Sequence, residues 1–233
     1  MRRLAVLLLG CLLALASAAK SEVWYVPGWL RCGGADPIAW SALTNAFPEA
    51  KSVYYDWDGN HGWGRSVTNA DLAADILASR LAALPVEART NLTLVGHSLG
   101  GRIVVKALAR LAGDGVQVGQ GVALAAALPA DDPALATAGD ASVLPLVLMS
   151  NPRDFTLKYA YRAARGVHGP ALGLVGPVAQ PKHAHAVTVP TEITRETEVA
   201  AAWGKVKLFK RLAAHHAVFY LNELQRRKEE ILK

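Results

Sequence analysis

The sequence predicts an α/β protein with about six mostly parallel strands and helices on both faces of the sheet. Short apolar segments alternate with longer segments of helical periodicity along the chain. Strands that alternate with helices form βαβ units, in which the strands run parallel. The chain has 233 residues, 52% of them hydrophobic, and no linker, repeat or low-complexity stretch interrupts it. These features predict one domain with a single large core.

Six short apolar segments bounded by turn-forming residues are the predicted strands. They are residues 22–26, 52–55, 91–95, 122–128, 144–149 and 186–189. Segments with an apolar face at 3.6-residue spacing are the predicted helices. They are residues 37–47, a helix capped by Asn69, 103–111, 155–165, and a long amphipathic segment from about residue 199 to the C-terminus.

The N-terminus has the pattern of a cleaved signal peptide. Arg2 and Arg3 precede an uncharged apolar run over residues 4–16, and Ala16-Ser17-Ala18 supplies the small-x-small site that a signal peptidase needs. Such a run is too short to serve as a membrane anchor in the mature protein. We therefore expect residues 1–18 to be removed and the protein to be secreted or periplasmic.

The two cysteines fit this expectation. Leu8-Leu9-Gly10-Cys11 is similar to a lipobox, which would make Cys11 a lipidated N-terminus, but the preceding apolar run is short for that and simple cleavage is preferred. After cleavage Cys32 stands alone in the mature domain, residues 19–233, so no intrachain disulfide forms. The core alone must hold this fold together.

The chain is basic, with a formal net charge of +6. Many of the positive charges lie in the C-terminal segment, without the interleaved aromatic residues or binding motif of a nucleic-acid-binding protein. We expect no nucleic-acid partner. The pattern is typical of a solvated helix face, which an anionic envelope surface would attract.

A glycine-rich motif joins one predicted strand to the next helix. Gly96-His97-Ser98-Leu99-Gly100 lies between the apolar segment 91–95 and the helical segment 103–111. A sharp strand–turn–helix bend leaves no room for side chains beside the adjacent strand and helix, so glycines before and after Ser98 suit it. Ser98 would then stand above the carboxyl edge of the sheet with its hydroxyl exposed.

The six residues Gly96-His97-Ser98-Leu99-Gly100-Gly101 resemble the nucleophile elbow of lipase- and esterase-like α/β-hydrolases. The order of strands and helices resembles that family over nearly the whole mature chain, without two antiparallel strands at the start and without a large lid. The resemblance implies Ser–acid–His catalysis on a small-molecule or lipid ester, with the acid and then the histidine following Ser98.

Asp154 is the predicted acid. It follows the segment 144–149, which resembles the family's placement of its acid after the penultimate strand. Capping of the helix that follows is the alternative role for Asp154. Asp131 and Asp132 are rivals, but their position before Pro133 is more typical of a turn cap.

His216 is the predicted base, and His215 is the alternative. The family pattern wants a histidine near the start of the terminal helix, and the aromatic Tyr220 resembles one that often follows it. Because the helical pattern runs through this pair, a break in the helix before it is required. His183 and His185 precede the last strand at its wrong end, and His97 is interpreted as structural.

Two backbone N–H groups are the predicted oxyanion donors. The N–H of Leu99 directly follows the nucleophile, and the N–H of Trp29 belongs to the loop after the first strand, Pro27-Gly28-Trp29. Many relatives carry His-Gly where this chain carries Pro27-Gly28. Trp29 could instead serve only in packing or line an acyl pocket.

The sequence thus predicts an exported serine hydrolase that cleaves carboxylic esters through an acyl-enzyme, with no cofactor. His183-Ala184-His185 offers two histidines but no further ligand, so we expect no metal. A binding protein on a hydrolase scaffold and an acyltransferase are the alternatives. The acyl and alcohol preferences, the physiological substrate and the oligomeric state stay open.

Overall fold

A computed structural model describes residues 21–31, 33–34, 36–164, 169–189 and 215–232. Six strands form one sheet in the order β2-β1-β3-β4-β5-β6, and all five strand pairings are parallel. The strands are β1 Glu22–Val26, β2 Lys51–Tyr54, β3 Leu92–His97, β4 Gln120–Leu124, β5 Leu146–Ser150 and β6 Ala184–Thr188. The predicted fold class is confirmed.

Eight α-helices are present among the described residues. They are α1 Pro37–Ala46, α2 Trp63–Ala82, α3 Val86–Thr90, α4 Leu99–Gly113, α5 Leu135–Ala138, α6 Leu172–Val175, α7 Ala217–Arg226 and α8 Lys228–Ile231. A 3₁₀ turn, Gly139–Ala141, and a π-helical segment, Thr156–Tyr161, complete the helical structure. No helix of this described part is long and apolar enough to cross a bilayer.

Helix α2 packs on α4, the short helix α5 also packs on α4, and α1 packs on α7. The chain moves one way across the sheet from β1 to β2 and the other way from β2 to β3. Right-handed crossovers therefore put α1 on one face and α2 on the opposite face. Both faces are covered, which explains why β4 and β5 are buried along their whole length.

The reversal of direction between β1 and β3 creates a crevice at the carboxyl edge of the sheet. These two strands are neighbours, with Val26 of β1 opposite Gly96 of β3, yet their connections leave toward opposite edges of the sheet. Open α/β sheets bind ligands at such a switch point. The loops that begin at Pro27 and at Ser98 meet there.

Several predicted elements have other bounds in the structure. The helix predicted to begin at Asn69 begins at Trp63, because Trp63 packs its ring edge-to-face on Trp29 and so belongs to the packed helix. The strand predicted over 122–128 ends at Leu124, where Ala125 takes a positive φ of 47° and leaves the extended conformation.

The helix predicted over residues 155–165 is π-helical over Thr156–Tyr161. Two further predictions fall on residues outside the described set. These are the signal peptide, residues 1–18, and the part of the C-terminal helix between residues 199 and 214.

Candidate active site

Ser98 occupies a strained turn between β3 and α4. Its backbone φ of 57° and ψ of −119° lie in a region that non-glycine residues rarely adopt. Three main-chain hydrogen bonds hold it there. The Ser98 N–H donates to Leu124 O over 2.9 Å, and Ser98 O accepts from the N–H groups of Ala127 and Arg102 at 2.9 and 3.2 Å. Hydrogen bonds to β4, to the loop after it and to α4 therefore stabilise the strained conformation of Ser98.

Glycine is required on both sides of this turn. A Cβ at Gly96 would lie 2.3 Å from Gly100 O, and a Cβ at Gly100 would lie 2.0 Å from Val26 O. Neither contact is tolerable against backbone atoms. The two glycines let α4 start directly against β1 and β3, which places the Ser98 hydroxyl over the edge of the sheet, as the motif predicts.

Three side chains from distant parts of the chain form one hydrogen-bonded series. Ser98 Oγ lies 2.9 Å from His215 Nε2, and His215 Nδ1 lies 2.6 Å from Asp154 Oδ2. A carboxylate only accepts, so Nδ1 of His215 carries the proton and the Nε2 lone pair faces the serine hydroxyl. This is the tautomer in which His215 can take the Ser98 proton.

The contacts of Asp154 are compatible with both of the roles that the sequence left open. Its Oδ1 accepts from the N–H of Leu157 at 2.9 Å and so caps the π-helical segment, while its Oδ2 faces His215. The Tyr220 hydroxyl also donates to Oδ2 at 3.2 Å, and burial first and the Asp154 charge second raise the pKa of Tyr220 well above its usual range. The carboxylate is fully buried, so these donors replace the water that it has lost.

The prediction of His216 as the partner of Ser98 is wrong in this geometry. His216 Nε2 lies 2.9 Å from Asp36 Oδ2, and His216 Nδ1 accepts from the N–H of Val218 at 3.3 Å. Both ring nitrogens are thus engaged within the fold. His215, the alternative, is the histidine that reaches the serine.

The helix boundary explains why His215 and not His216 faces Ser98. His216 is the N-cap of α7, with extended φ and ψ of −73° and 136°, so consecutive side chains here point in different directions. The amphipathic pattern hides this boundary because both histidines precede an apolar helical face. Asp36, which precedes α1 and contacts His216, is 180 residues away from it in sequence.

The loop after β1 lies directly beside Ser98. A Cβ at Gly28 would lie 2.9 Å from Ser98 Cβ, so only glycine fits this close approach. Two tryptophan indole N–H groups fix this loop by hydrogen bonds to backbone carbonyls. Trp57 Nε1 donates to Pro27 O at 2.9 Å, and Trp29 Nε1 donates to His61 O at 2.7 Å.

The two residues predicted as oxyanion donors, Trp29 and Leu99, lie in segments next to Ser98. Trp29 belongs to the loop beside Ser98, and Leu99 is the first residue of α4, where N–H groups have no partner within the helix. The helix N-terminus also favours developing negative charge. Their roles as donors stay predictions.

A cavity of about 550 Å³ opens at Ser98 and His215. Its walls are mainly aromatic and small apolar side chains. They include Trp29, Trp63, Leu157, Ala160, Tyr161, Ala163 and Ala164. Trp63 packs edge-to-face on both Trp29 and Tyr161, at ring-centroid distances of 5.4 and 6.0 Å. The cavity is of the size and polarity that a small apolar ligand needs.

The remaining candidates lie elsewhere. Asp132 accepts from the Ala134 N–H at 3.0 Å, as expected for a turn cap. His183 contacts the carbonyl of Val143, and His185 is within β6. Over the part of the chain that the structure covers, no three His, Cys, Asp or Glu side chains group as metal ligands would.

Comparisons with known proteins give distant structural likenesses only. No family model and no curated sequence matches the chain. A type II thioesterase from a yersiniabactin NRPS/PKS biosynthetic pathway is 12% identical, with a TM-score of 0.45, covering 94% of this chain and 97% of that one. A cutinase of Trichoderma reesei is 15% identical, with a TM-score of 0.40, covering 96% and 85%.

An esterase/lipase from an uncultured bacterium is 15% identical, with a TM-score of 0.42, covering 90% of this chain and 77% of that one. Identities and TM-scores this low carry no information about chemistry. The sheet order, the strained serine turn between β3 and α4 and the glycines around it define an α/β-hydrolase fold.

Proposed function

We propose that this chain is an exported serine hydrolase that cleaves carboxylic esters through an acyl-enzyme. The observation that carries the proposal is the series Ser98 Oγ, His215 Nε2, His215 Nδ1 and Asp154 Oδ2, with contacts of 2.9 and 2.6 Å. A serine hydroxyl is a weak nucleophile until a histidine accepts its proton, and a carboxylate stabilises the resulting imidazolium.

In the first half of the reaction Ser98 Oγ bonds to the acyl carbon while its proton moves to His215 Nε2. The carbonyl oxygen becomes an anion, for which the N–H groups of Leu99 and Trp29 are the candidate donors. Collapse of this intermediate breaks the bond to the alcohol oxygen, which leaves with the proton from His215. The product is the Ser98 ester.

In the second half water attacks that ester and gives a proton to His215 Nε2. The bond between the acyl carbon and Ser98 Oγ breaks, the carboxylic acid leaves, and Ser98 recovers its proton from His215. Asp154 keeps its contacts with His215, the Leu157 N–H and the Tyr220 hydroxyl and does not itself exchange a proton. The apolar cavity walls suit an uncharged acyl or alkoxy group.

The experiment is hydrolysis of p-nitrophenyl esters of increasing acyl length by wild type and by Ser98→Ala. We expect turnover in wild type and a loss of about a thousandfold or more in Ser98→Ala, since the acyl-enzyme then has no oxygen to form on. Val95→Ala, a buried change on β3 away from the cavity, is the matched control. Equal rates in wild type and Ser98→Ala contradict the proposal.

Export is a separate part of the proposal and rests on the N-terminal sequence. Arg2 and Arg3, the apolar run over residues 4–16 and Ala16-Ser17-Ala18 support cleavage after Ala18. N-terminal sequencing of the protein made in a bacterial host should find a chain beginning at Ala19 outside the cytoplasm. An uncleaved chain that stays inside the cell contradicts export and leaves the esterase proposal unaffected.

A further inference from the structure

We propose that His97 is a positioning residue that fixes the main chain of His215 against the nucleophile turn. The proposal rests on the proposed function, because the effect it predicts is on hydrolysis at Ser98. His97 is the residue between Gly96 and Ser98, and none of the steps above uses it. Its ring ties the two segments that must meet for proton transfer.

The contact is direct and short. His97 Nε2 lies 2.6 Å from the carbonyl oxygen of His215. A carbonyl only accepts, so Nε2 of His97 carries a proton and donates it. The His97 and His215 rings are also packed together, with centroids 4.9 Å apart. Position 215 is therefore held to position 97 through its backbone, independently of the bond between its own ring and Ser98.

This independence matters during the reaction. When His215 takes the Ser98 proton, Oγ bonds to the acyl carbon and the ground-state hydrogen bond between the two side chains is replaced. The contact with Asp154 then fixes only one end of the imidazole ring. A backbone bond from His97 keeps Nε2 of His215 aimed at the oxygen that it must serve next, and small displacements of such groups are costly to rate.

The charge state of His97 suits this role. Burial, first, and the neighbouring His215 and His216, second, hold the pKa of the His97 imidazole well below its usual range, with Arg31 adding to the effect and the bond to His215 O opposing it. A neutral His97 adds no positive charge beside the imidazolium that forms on His215, so it does not destabilise that imidazolium. The other side of the ring meets the loop after β1, where a Cβ at Gly28 would lie 3.2 Å from His97 Nδ1.

The test compares two substitutions at this position. His97→Leu removes the donor at similar volume, whereas His97→Gln keeps an N–H that can reach the His215 carbonyl. For p-nitrophenyl ester hydrolysis we expect His97→Leu to lower kcat by about ten- to a hundredfold with KM changed by less than about twofold. His97→Gln should recover most of that loss.

Stability is controlled in the same experiment. Val95→Ala removes buried apolar contacts from the same strand without touching this hydrogen bond, so it reports the effect of a weakened core alone. Thermal unfolding of all variants is measured beside kcat. A kcat in His97→Leu equal to that of Val95→Ala at matched stability, or a His97→Gln no better than His97→Leu, overturns the proposal.

A readout without substrate separates this proposal from the proposed function. In ¹⁵N-histidine NMR spectra of the full chain, we expect His97 to stay neutral with its proton on Nε2 at pH values where ordinary histidines, with a pKa of about 6.5, are charged. A neutral His97 that carries its proton on Nδ1 instead of Nε2 overturns the proposal, because it has no donor for the His215 carbonyl. Absence of Ser98-dependent turnover contradicts the proposed function instead.

Discussion

Two adjacent histidines form two carboxylate pairs with similar contacts, but it is His215 that faces Ser98. Asp154 caps a helical segment with one oxygen and bonds His215 with the other. Asp36 likewise accepts from the N–H groups of α1 with one oxygen and bonds His216 with the other.

The difference lies in which ring nitrogen meets the carboxylate. In His215, Nδ1 contacts the carboxylate and Nε2 contacts Ser98. In His216, Nε2 contacts the carboxylate and Nδ1 accepts from the N–H of Val218. A histidine–aspartate contact is therefore insufficient evidence for a catalytic pair. The role of each histidine depends on the group that its second ring nitrogen contacts, which is Ser98 Oγ for His215 and the Val218 N–H for His216.

Neighbouring positive groups stabilise the ionised form of Asp36. Burial alone would raise the pKa of the Asp36 carboxyl, but the bond from His216 and the charges of His216 and Arg31 hold it below its usual range. Arg31 approaches Asp36 to 3.4 Å. The pair at His216 thus ties the starts of α1 and α7 together, which is a structural task.

Neutralising each carboxylate in turn tests whether the two histidine–aspartate pairs differ in function. Asp154→Asn should lower kcat on the order of 10⁴-fold, because an amide no longer enforces the Nδ1–H tautomer of His215. Asp36→Asn, which keeps the shape and the N-cap but loses the charge, should change kcat by less than about tenfold. It should lower stability by about 1 kcal/mol, because the charged contacts with His216 and Arg31 are weakened. Steady-state kinetics and urea unfolding measure both. Similar kinetic losses in the two variants would show that the pairs are not functionally distinct.

A smaller effect is expected at Trp57, which holds the loop beside Ser98. Trp57→Phe removes the donor to Pro27 O and keeps an aromatic ring in the buried site. We expect kcat to fall by about tenfold, since the loop that carries Trp29 is then less well aligned. Trp40→Phe, a partly buried residue on α1 away from the cavity, is the control. A wild-type kcat in Trp57→Phe means that this bond does not position the loop.

The smallest expected effect is on stability as a function of pH. Burial is the first cause that lowers the pKa of both His97 and His216 in the folded protein. The unfolded chain binds protons on these residues below pH about 6.5 while the folded chain does not, so the free energy of unfolding falls as the pH is lowered from there.

Urea unfolding between pH 5 and 8, in steps of about half a unit, tests this linkage. The slope should be smaller in His216→Gln than in wild type, because that variant removes one of the two titrating groups. A free energy of unfolding that rises as the pH falls through this range would contradict the buried, neutral state of the two rings.

Local sequence patterns were sufficient where the structure is determined locally. The strand at residues 22–26 and the turn at Ser98 follow from apolar runs and from glycines that short-range sterics demand. The choice of Asp154 follows from the resemblance to α/β-hydrolases, which implies an acid after the penultimate strand. Each of these features depends on residues close in sequence or on the common order of a parallel α/β sheet.

Contacts between distant residues explain what the sequence missed. The orientation of His215 and His216 depends on where α7 begins and on Asp36. The early start of α2 depends on Trp63 meeting Trp29 and Tyr161. No periodicity in a single segment records such contacts, so neither could be predicted from local pattern alone.

The rate of labelling by a fluorophosphonate probe, with the modified peptide identified by mass spectrometry, reports on Ser98 and on its proton acceptor together. The adduct should lie on Ser98, and His215→Ala should label at least about a hundredfold more slowly than wild type, because the hydroxyl has lost its proton acceptor. His216→Ala should label within about tenfold of wild type. An adduct on another residue would contradict the assignment of Ser98 as the nucleophile. A greater loss of labelling rate in His216→Ala than in His215→Ala would contradict the assignment of His215 as its proton acceptor.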